Sequence, residues 1–435
     1  QGILDGLVTG DRRPEPVYEE ARHVFQPFAA RLSGDSVELR SKRYFRDSAD
    51  CCCRWTLLKD GVAQVRGAFD ITLLPCETRL LPLPEEARRA RMDAAGGEWA
   101  LRVEFVQKAD EGLIPSGWIV AADQLQLGGI AEPPQPFPGR LTYAFSPETG
   151  ELVSLRRDGR ELLKAPLTLD CFRVPVGGET KYREEYMSYG RERLRDGLRT
   201  MRPTKMRFED RMLPDGRREV LSVIAYRGVR KEDVPRLGHA NEVCLTDLGP
   251  VEADAPGVEV TSTWTIEPSG RAHVSSVFRP TGRPVEYQRM GWRFVLDAPR
   301  TTVDYFARGP YDNYSDRKTG AFPARYCGDS TSFGFRFTTS QDNGVREEAR
   351  FVMLPEAGLS VAAQRGHTFA FAVSPYSPTE LLLTPHPECL PEPSKTELGV
   401  YARVRGLGSA NCGPEPLRRD CLAAGETWEM SFDLN

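Results

Sequence analysis

Through most of this chain, apolar residues recur at every second position in short runs, and each run ends in a turn signal. In Ser36-Val37-Glu38-Leu39-Arg40, Val37 and Leu39 alternate with polar neighbours. Trp55 and Leu57 alternate with Arg54 and Thr56 before the turn Asp60-Gly61. Ala100-Leu101-Arg102-Val103-Glu104-Phe105-Val106 repeats the pattern. Successive side chains of a strand point to opposite faces, so a period of two predicts half-buried strands rather than helices. The chain holds 39 Gly and 34 Pro in 435 residues, many of them between these runs. That punctuation disfavours a long-helix architecture and predicts a mainly β protein of antiparallel strands. The net charge of −4 offers no basic patch, so neither nucleic acid nor a membrane surface is expected as a partner. No apolar stretch approaches the ~20 residues that span a bilayer. No charged-then-apolar leader opens the chain, and a cytoplasmic location is expected.

The pattern divides the chain. Residues 1–27 differ from the rest. Val17, Ala21, Val24, Phe25 and Phe28 follow helical spacing, with Pro16 at a first helical position and acids in the early turns. This helix has nothing local to pack on. The opening Gln1-Gly2-Ile3-Leu4-Asp5 has no Met and begins in mid-pattern, as expected of a piece of a longer chain. Residues 28–128 carry strands at the spacing of an immunoglobulin-like β-sandwich. Gly128-Gly129 and the run from Pro133 to Gly139 predict a Pro-rich linker over 129–138. From 139 to 435, alternating runs such as Leu152-Val153-Ser154-Leu155 and Val258-Glu259-Val260 predict one large antiparallel sandwich. A single helix is expected near 183–196.

Chemistry-bearing patterns are sparse. The ten cysteines include Cys51-Cys52-Cys53 but no C-x-x-C, and they are expected to be reduced, mostly buried thiols. The five histidines form no H-x-H or H-x-x-x-H pair, so no metal site is expected from them. His386, bracketed by prolines, reads as structural. No G-x-S-x-G elbow or phosphate loop is present. Glu85-Glu86, Glu184-Glu185 and Glu347-Glu348 are adjacent acids, which point to different faces on a strand or a helix, and all are expected to be solvated surface. Two segments stand apart. Arg308-Gly309-Pro310-Tyr311-Asp312-Asn313-Tyr314-Ser315-Asp316-Arg317 is expected to be a loop bonded through its own side chains, with Arg317 on a carboxylate. Arg405 to Pro414 is a small-residue loop that lets backbone approach another group closely.

Six segments, in order along the chain, resemble the C-terminal part of a glycoside hydrolase family 2 β-galactosidase. Asp5-Gly6-Leu7-Val8-Thr9-Gly10-Asp11-Arg12-Arg13-Pro14 resembles the "NGLV–DR–P–P" segment closing the family's catalytic barrel, and the helix after it resembles the barrel's last helix. Phe145 to Leu152 resembles the "F–TG–L" hairpin that opens the final domain. Gly309 to Arg317 resembles "GP-ENY-DR", Gln341 to Arg346 resembles "P-ENG-R", and Gly406 to Pro414 resembles "GLGS-SCGP".

The resemblance implies that 1–27 is the end of the (β/α)8 barrel and that 28–128 is the fourth, immunoglobulin-like domain. It implies that 139–435 is the last domain, an antiparallel supersandwich resembling galactose mutarotase. The family hydrolyses terminal β-D-galactosides such as lactose with retention, using two glutamates on the barrel. Neither is expected in this chain, which would be a non-catalytic region supporting the barrel, the pocket mouth and a homo-oligomer. The parent enzyme is expected to use Mg2+ and Na+. Gly2 and Asp5 match sodium-site positions, with Gly2 in place of an aromatic residue and Asp5 in place of an Asn. Cys412 matches the pocket-mouth position where some relatives carry a sugar-stacking Trp. Arg173 to Glu179 departs from the family's "RAP-DND", with glycines replacing polar groups. Two other readings are a carbohydrate-binding module, its groove lined by Tyr311 and Tyr314, and a separate small subunit of a two-chain β-galactosidase.

Overall fold

The computed structural model of the chain describes residues 6–93, 96–176, 197–229, 251–384, 386–408 and 416–435. The helix expected near 183–196 and the pair Glu184-Glu185 lie outside them. The described chain is mainly β and antiparallel, and it divides into two compact units. The first holds the chain up to Pro133 with Phe306–Pro310 and Lys318–Arg325, and the second holds the remainder.

In the first unit, α1 (Pro16–Val24) starts with Pro16 at the first helical position. Its expected apolar stripe is not buried, since Val24 is 56% and Phe25 84% exposed. Its inward contacts are polar instead. Glu20 accepts from the backbone of Thr319 and Gly320 at 3.1 and 2.8 Å, and His23 meets the Phe322 ring edge-on. Phe28 belongs not to the helix but to β1 (Phe28–Ser33). That strand pairs with β2 (Ser36–Ser41). Next come β3 (Cys51–Lys59), β4 (Val62–Phe69) and β5 (Thr78–Pro82), then α2 (Glu85–Met92), β6 (Trp99–Gln107) and β7 (Ile119–Gly128). The strands form two sheets, β1-β2-β5 and β4-β3-β6-β7. Their inner faces share one core, in which Phe28 stacks on Phe105 at 4.2 Å. Trp55 fits there because position 67 is glycine: a Cβ at Gly67 would stand 2.2 Å from the indole. The alternation does not reveal α2. Pro84 before it and Glu85 and Glu86 in its first turn favour a helix start, and Ala87 and Ala90 bury one face. Glu85 and Glu86 are exposed as expected.

No helix or strand lies between Gly128 and Leu141. The second unit begins with β8 (Leu141–Phe145), β9 (Leu152–Arg157), β10 (Arg160–Glu161) and β11 (Leu163–Asp170). There follow β12 (Met201–Met212), β13 (Arg218–Gly228), β14 (Gly257–Ile266), β15 (Ala272–Thr281), β16 (Arg289–Leu296), β17 (Thr302–Gly309) and β18 (Phe322–Asp329), the last two contributing residues 306–309 and 322–325 to the first unit. Then come β19 (Arg346–Ala349), β20 (Phe351–Leu354), β21 (Leu359–Ala363), β22 (Phe369–Ser374), α3 (Pro378–Leu383), β23 (Thr396–Val404) and β24 (Trp428–Leu434). A nine-stranded sheet runs β12-β13-β14-β15-β24-β21-β20-β17-β18, and a five-stranded sheet runs β11-β16-β23-β22-β19. In β14 and β15 buried and half-buried residues alternate. The inward rows meet the five-stranded sheet: Trp292 lies 5.7 Å from the Phe278 ring and donates to Ser276 Oγ at 3.0 Å. Two packed antiparallel sheets around an apolar layer are what period-two patterning dictates.

Candidate functional site

The other face of the five-stranded sheet carries charge. Alternation places Arg289 and Arg293 of β16 and Glu397, Gly399 and Tyr401 of β23 on that face, away from Trp292. Arg293, Gly399 and Ala372 of β22 lie in one cross-strand row. Two of the three have almost no side chain, so the middle of the row is low. The segments 331–343, 374–384 and 386–390, α3 among them, stand around it, and the open pocket between them has a volume of about 450 Å³.

A buried ionic group forms the floor. Arg289 donates from Nε to Asp170 Oδ1 at 3.0 Å and from Nη1 to Asp342 Oδ1 at 2.9 Å. Tyr401 donates to Asp170 Oδ2 at 3.0 Å, and its ring lies 5.1 Å from the Arg289 guanidinium. Burial alone would lower the pKa of Arg289, but Asp170, the Tyr401 phenol and Asp342 around it outweigh burial and raise it. Burial raises the Asp342 carboxyl despite Arg289. Glu397 is also raised by burial, opposed by Arg293 and Lys395. Its carboxylate stands 3.9 Å from Arg293 and 3.4 Å from Lys395, too far for a tight pair.

The sequence motifs converge beside this floor. Arg317 donates to Asp312 Oδ1 at 2.8 Å, as the self-bonded loop expectation requires. Asn313 takes the Glu347 amide at 2.9 Å, and its own amide donates to Val345 O at 2.9 Å. The segment holding Asp312 and Asn313 is thereby bonded to the one holding Asp342 to Arg346. Arg173, fully buried, donates to the Arg405 carbonyl at 2.9 Å, and Asp316 accepts from the amides of Leu407 and Gly408 at 3.1 and 2.8 Å. Three motif segments are thus bonded to one another, through buried Asp312, Asn313 and Arg173 inside and through exposed Asp316 at the surface.

This corrects two expectations. Tyr314 is wholly buried and cannot line a sugar groove, and Tyr311 is half-buried. Glu347 and Glu348 are half-buried rather than solvated, and the Glu347 backbone amide donates to Asn313. Gly2, Asp5 and Cys412 lie outside the described residues. Among the described residues, no group of three or more His, Cys, Asp and Glu is placed to hold a metal. The eight described cysteines are free thiols, but they are not mostly buried as expected: Cys51, Cys53 and Cys171 are buried, whereas Cys76, Cys327 and Cys389 are exposed. Sequence reasoning missed Asp170, Arg289, Arg293, Glu397 and Tyr401. The available signal was charge inside apolar strand runs: every residue of Thr396-Glu397-Leu398-Gly399-Val400-Tyr401 is buried.

Comparison with known proteins locates both units. Residues 138–434 match the family described as "Beta galactosidase small chain", and residues 37–128 match "Beta-galactosidase, domain 4". A β-galactosidase of Halalkalibacterium halodurans is 23% identical over 456 residues, covering 99% of this chain and 41% of its own. Beta-galactosidase 2 of Enterobacter cloacae is 24% identical, covering 94% and 39%. The chain thus spans about two fifths of the length of these curated relatives. A galactose 1-epimerase from Lactobacillus acidophilus is similar in structure at a TM-score of 0.31 and 8% identity, over 78% of this chain and 94% of that one. At that score the likeness adds nothing to the sheet order read directly from the chain. With most of its length, the second unit included, matched end to end, the chain belongs to the β-galactosidase small-chain family and carries a β-galactosidase domain 4 ahead of that match.

Proposed function

We propose that this chain is the non-catalytic C-terminal region of a retaining β-galactosidase, where it supports the catalytic barrel, shapes the pocket mouth and helps form a homo-oligomer. The observation that carries this reading is coverage: almost the whole chain aligns with only 41% of a β-galactosidase. The chemistry agrees. A retaining glycosidase needs two carboxyls facing one bond, roughly 5 Å apart and free to act as nucleophile and acid. Of the buried acids in the pocket here, Asp170 and Asp342 are both engaged by Arg289.

In that parent enzyme the substrates are β-D-galactosides, lactose among them, and the barrel supplies both glutamates. Mg2+ and Na+ belong to the proposal as requirements of the parent. Gly2 and Asp5 are its proposed sodium-site positions, and Cys412 its proposed pocket-mouth position. A reducing cytoplasm is the proposed compartment, supported by the free described thiols. No helix of the described residues is long and apolar enough to cross a membrane.

The coding sequence upstream of Gln1 tests the reading. An in-frame barrel carrying two facing glutamates is the expected result. A start codon immediately before Gln1, with the barrel on a separate gene, would replace the reading with that of a small subunit in a two-chain enzyme.

A further inference from the structure

The pocket on the five-stranded sheet is built as a ligand site, and the motif segments that hold its surroundings do not fill it. Its floor gathers three acids, Asp170, Asp342 and Glu397, against two arginines, Arg289 and Arg293. Charges taken out of water are tolerated when paired at hydrogen-bond distance. Here the pairing is incomplete. Arg293 and Glu397 face each other across 3.9 Å, with side chains 25% and 7% exposed. Arg293 Nε, Asp342 Oδ2 and Ser340 Oγ are buried without a hydrogen-bond partner. The Asp342 side chain is 91% buried, from its 9% exposure, and one of its oxygens is spent on Arg289 while the other is left over. A polar gap beyond 3.5 Å in a roomy pocket is one that a hydroxyl bridges.

The walls add an apolar side. Phe335 and Phe337 sit edge to face at 4.8 Å on the surrounding loop. Both are half-exposed pocket residues. A volume of about 450 Å³ is in the usual range for a small-molecule site. Donors and acceptors interleave on the floor, where Asp170, Asp342 and Glu397 face Arg289, Arg293 and Lys395. A neutral polyol can donate to the unpartnered Asp342 Oδ2 and accept from Arg293 Nε, whereas a carboxylate has no proton to offer Asp342. We infer that this pocket binds a neutral hexose-sized sugar, its hydroxyls bridging Arg293 and Glu397 and its apolar face against the Phe335–Phe337 wall. This is a sugar site made only from residues of the second unit. It is also not the groove of Tyr311 and Tyr314.

Ligand-observed saturation-transfer NMR on the 435-residue chain, with D-galactose, D-glucose and D-glucuronate as probes, tests it. Saturable binding of a neutral hexose is expected, with glucuronate weaker. Glu397→Gln is expected to weaken hexose binding roughly tenfold or more, since a charged hydrogen-bond acceptor is lost. Tyr311→Ala is expected to leave binding unchanged. Should Glu397→Gln fail to fold, Arg293→Ala carries the same expectation. Absence of saturable binding of both neutral hexoses to the wild-type chain would overturn the inference. So would full affinity in a folded Glu397→Gln or Arg293→Ala variant, or glucuronate binding more tightly than the hexoses. No barrel is needed for these measurements, so their failure leaves the parent-enzyme reading standing.

Discussion

Asp312 is 3% exposed at its side chain, and Arg317 donates to it. Removing the guanidinium strands a buried carboxylate, so Arg317→Ala should destabilise the second unit by about 1–3 kcal/mol. A thermal melt checks this, and an unchanged Tm would mean that the pair contributes nothing. Glu356 gives a pH signature. It accepts from the Thr301 hydroxyl and the Thr302 amide, both at 2.7 Å, and these hold its pKa at about 2 instead of the usual 4.5. A folded-state pKa below the unfolded one gives stability that is complete above the unfolded value and lost as pH falls through the folded one. Glu356→Gln should therefore lower Tm at neutral pH, with a deficit that narrows from pH 4.5 towards about 2. A deficit constant over that window would count against those bonds. Among the thiols, burial pushes Cys51 up to about 11 and Cys53 up to about 12, while Cys76 is exposed. Iodoacetamide should label Cys76 in the native protein well before Cys53, because the thiolate is the nucleophile. Equal labelling would show that β3 opens.

At the scale of elements, β23 decides the shape of the pocket. Gly399 and Tyr401 are two residues apart on one face. A Cβ at Gly399 would stand 1.8 Å from the Tyr401 hydroxyl. Gly399→Ala should push Tyr401 off Asp170 and cost about 1–3 kcal/mol. A melt tests the cost, and an unchanged Tm would show that Tyr401 is not fixed across the row. The strands themselves were legible from the sequence because half-buried strands leave a period-two trace, as in β2, β3, β14 and β15. The helix α2 was not, since eight residues with two buried alanines leave little apolar signal. The pocket was hidden for a different reason. Its residues come from β11, β16, β22 and β23, and only strand pairing brings Arg293 beside Gly399 and Ala372. The motif residues drew notice because they are unusual in composition. Their role in the fold is to bond loops together, and Tyr314 went into the core rather than to a surface groove.

Across the whole molecule, collinearity is what makes the family visible. Each motif match alone is short, yet they fall in order along a chain whose second unit matches the small-chain family from 138 to 434. The central claim is that such a chain carries architecture and a sugar pocket but not the hydrolytic chemistry. Asp170 and Asp342 in the pocket are both bound by Arg289, which takes them out of a nucleophile and acid pair. The most direct measurement is hydrolysis of a chromogenic β-galactoside by the purified 435-residue chain, beside the same chain joined to its upstream barrel. The account predicts no turnover above blank for the chain alone and activity for the joined protein. Turnover by the chain alone that co-purifies with it and survives a contaminant control would contradict it.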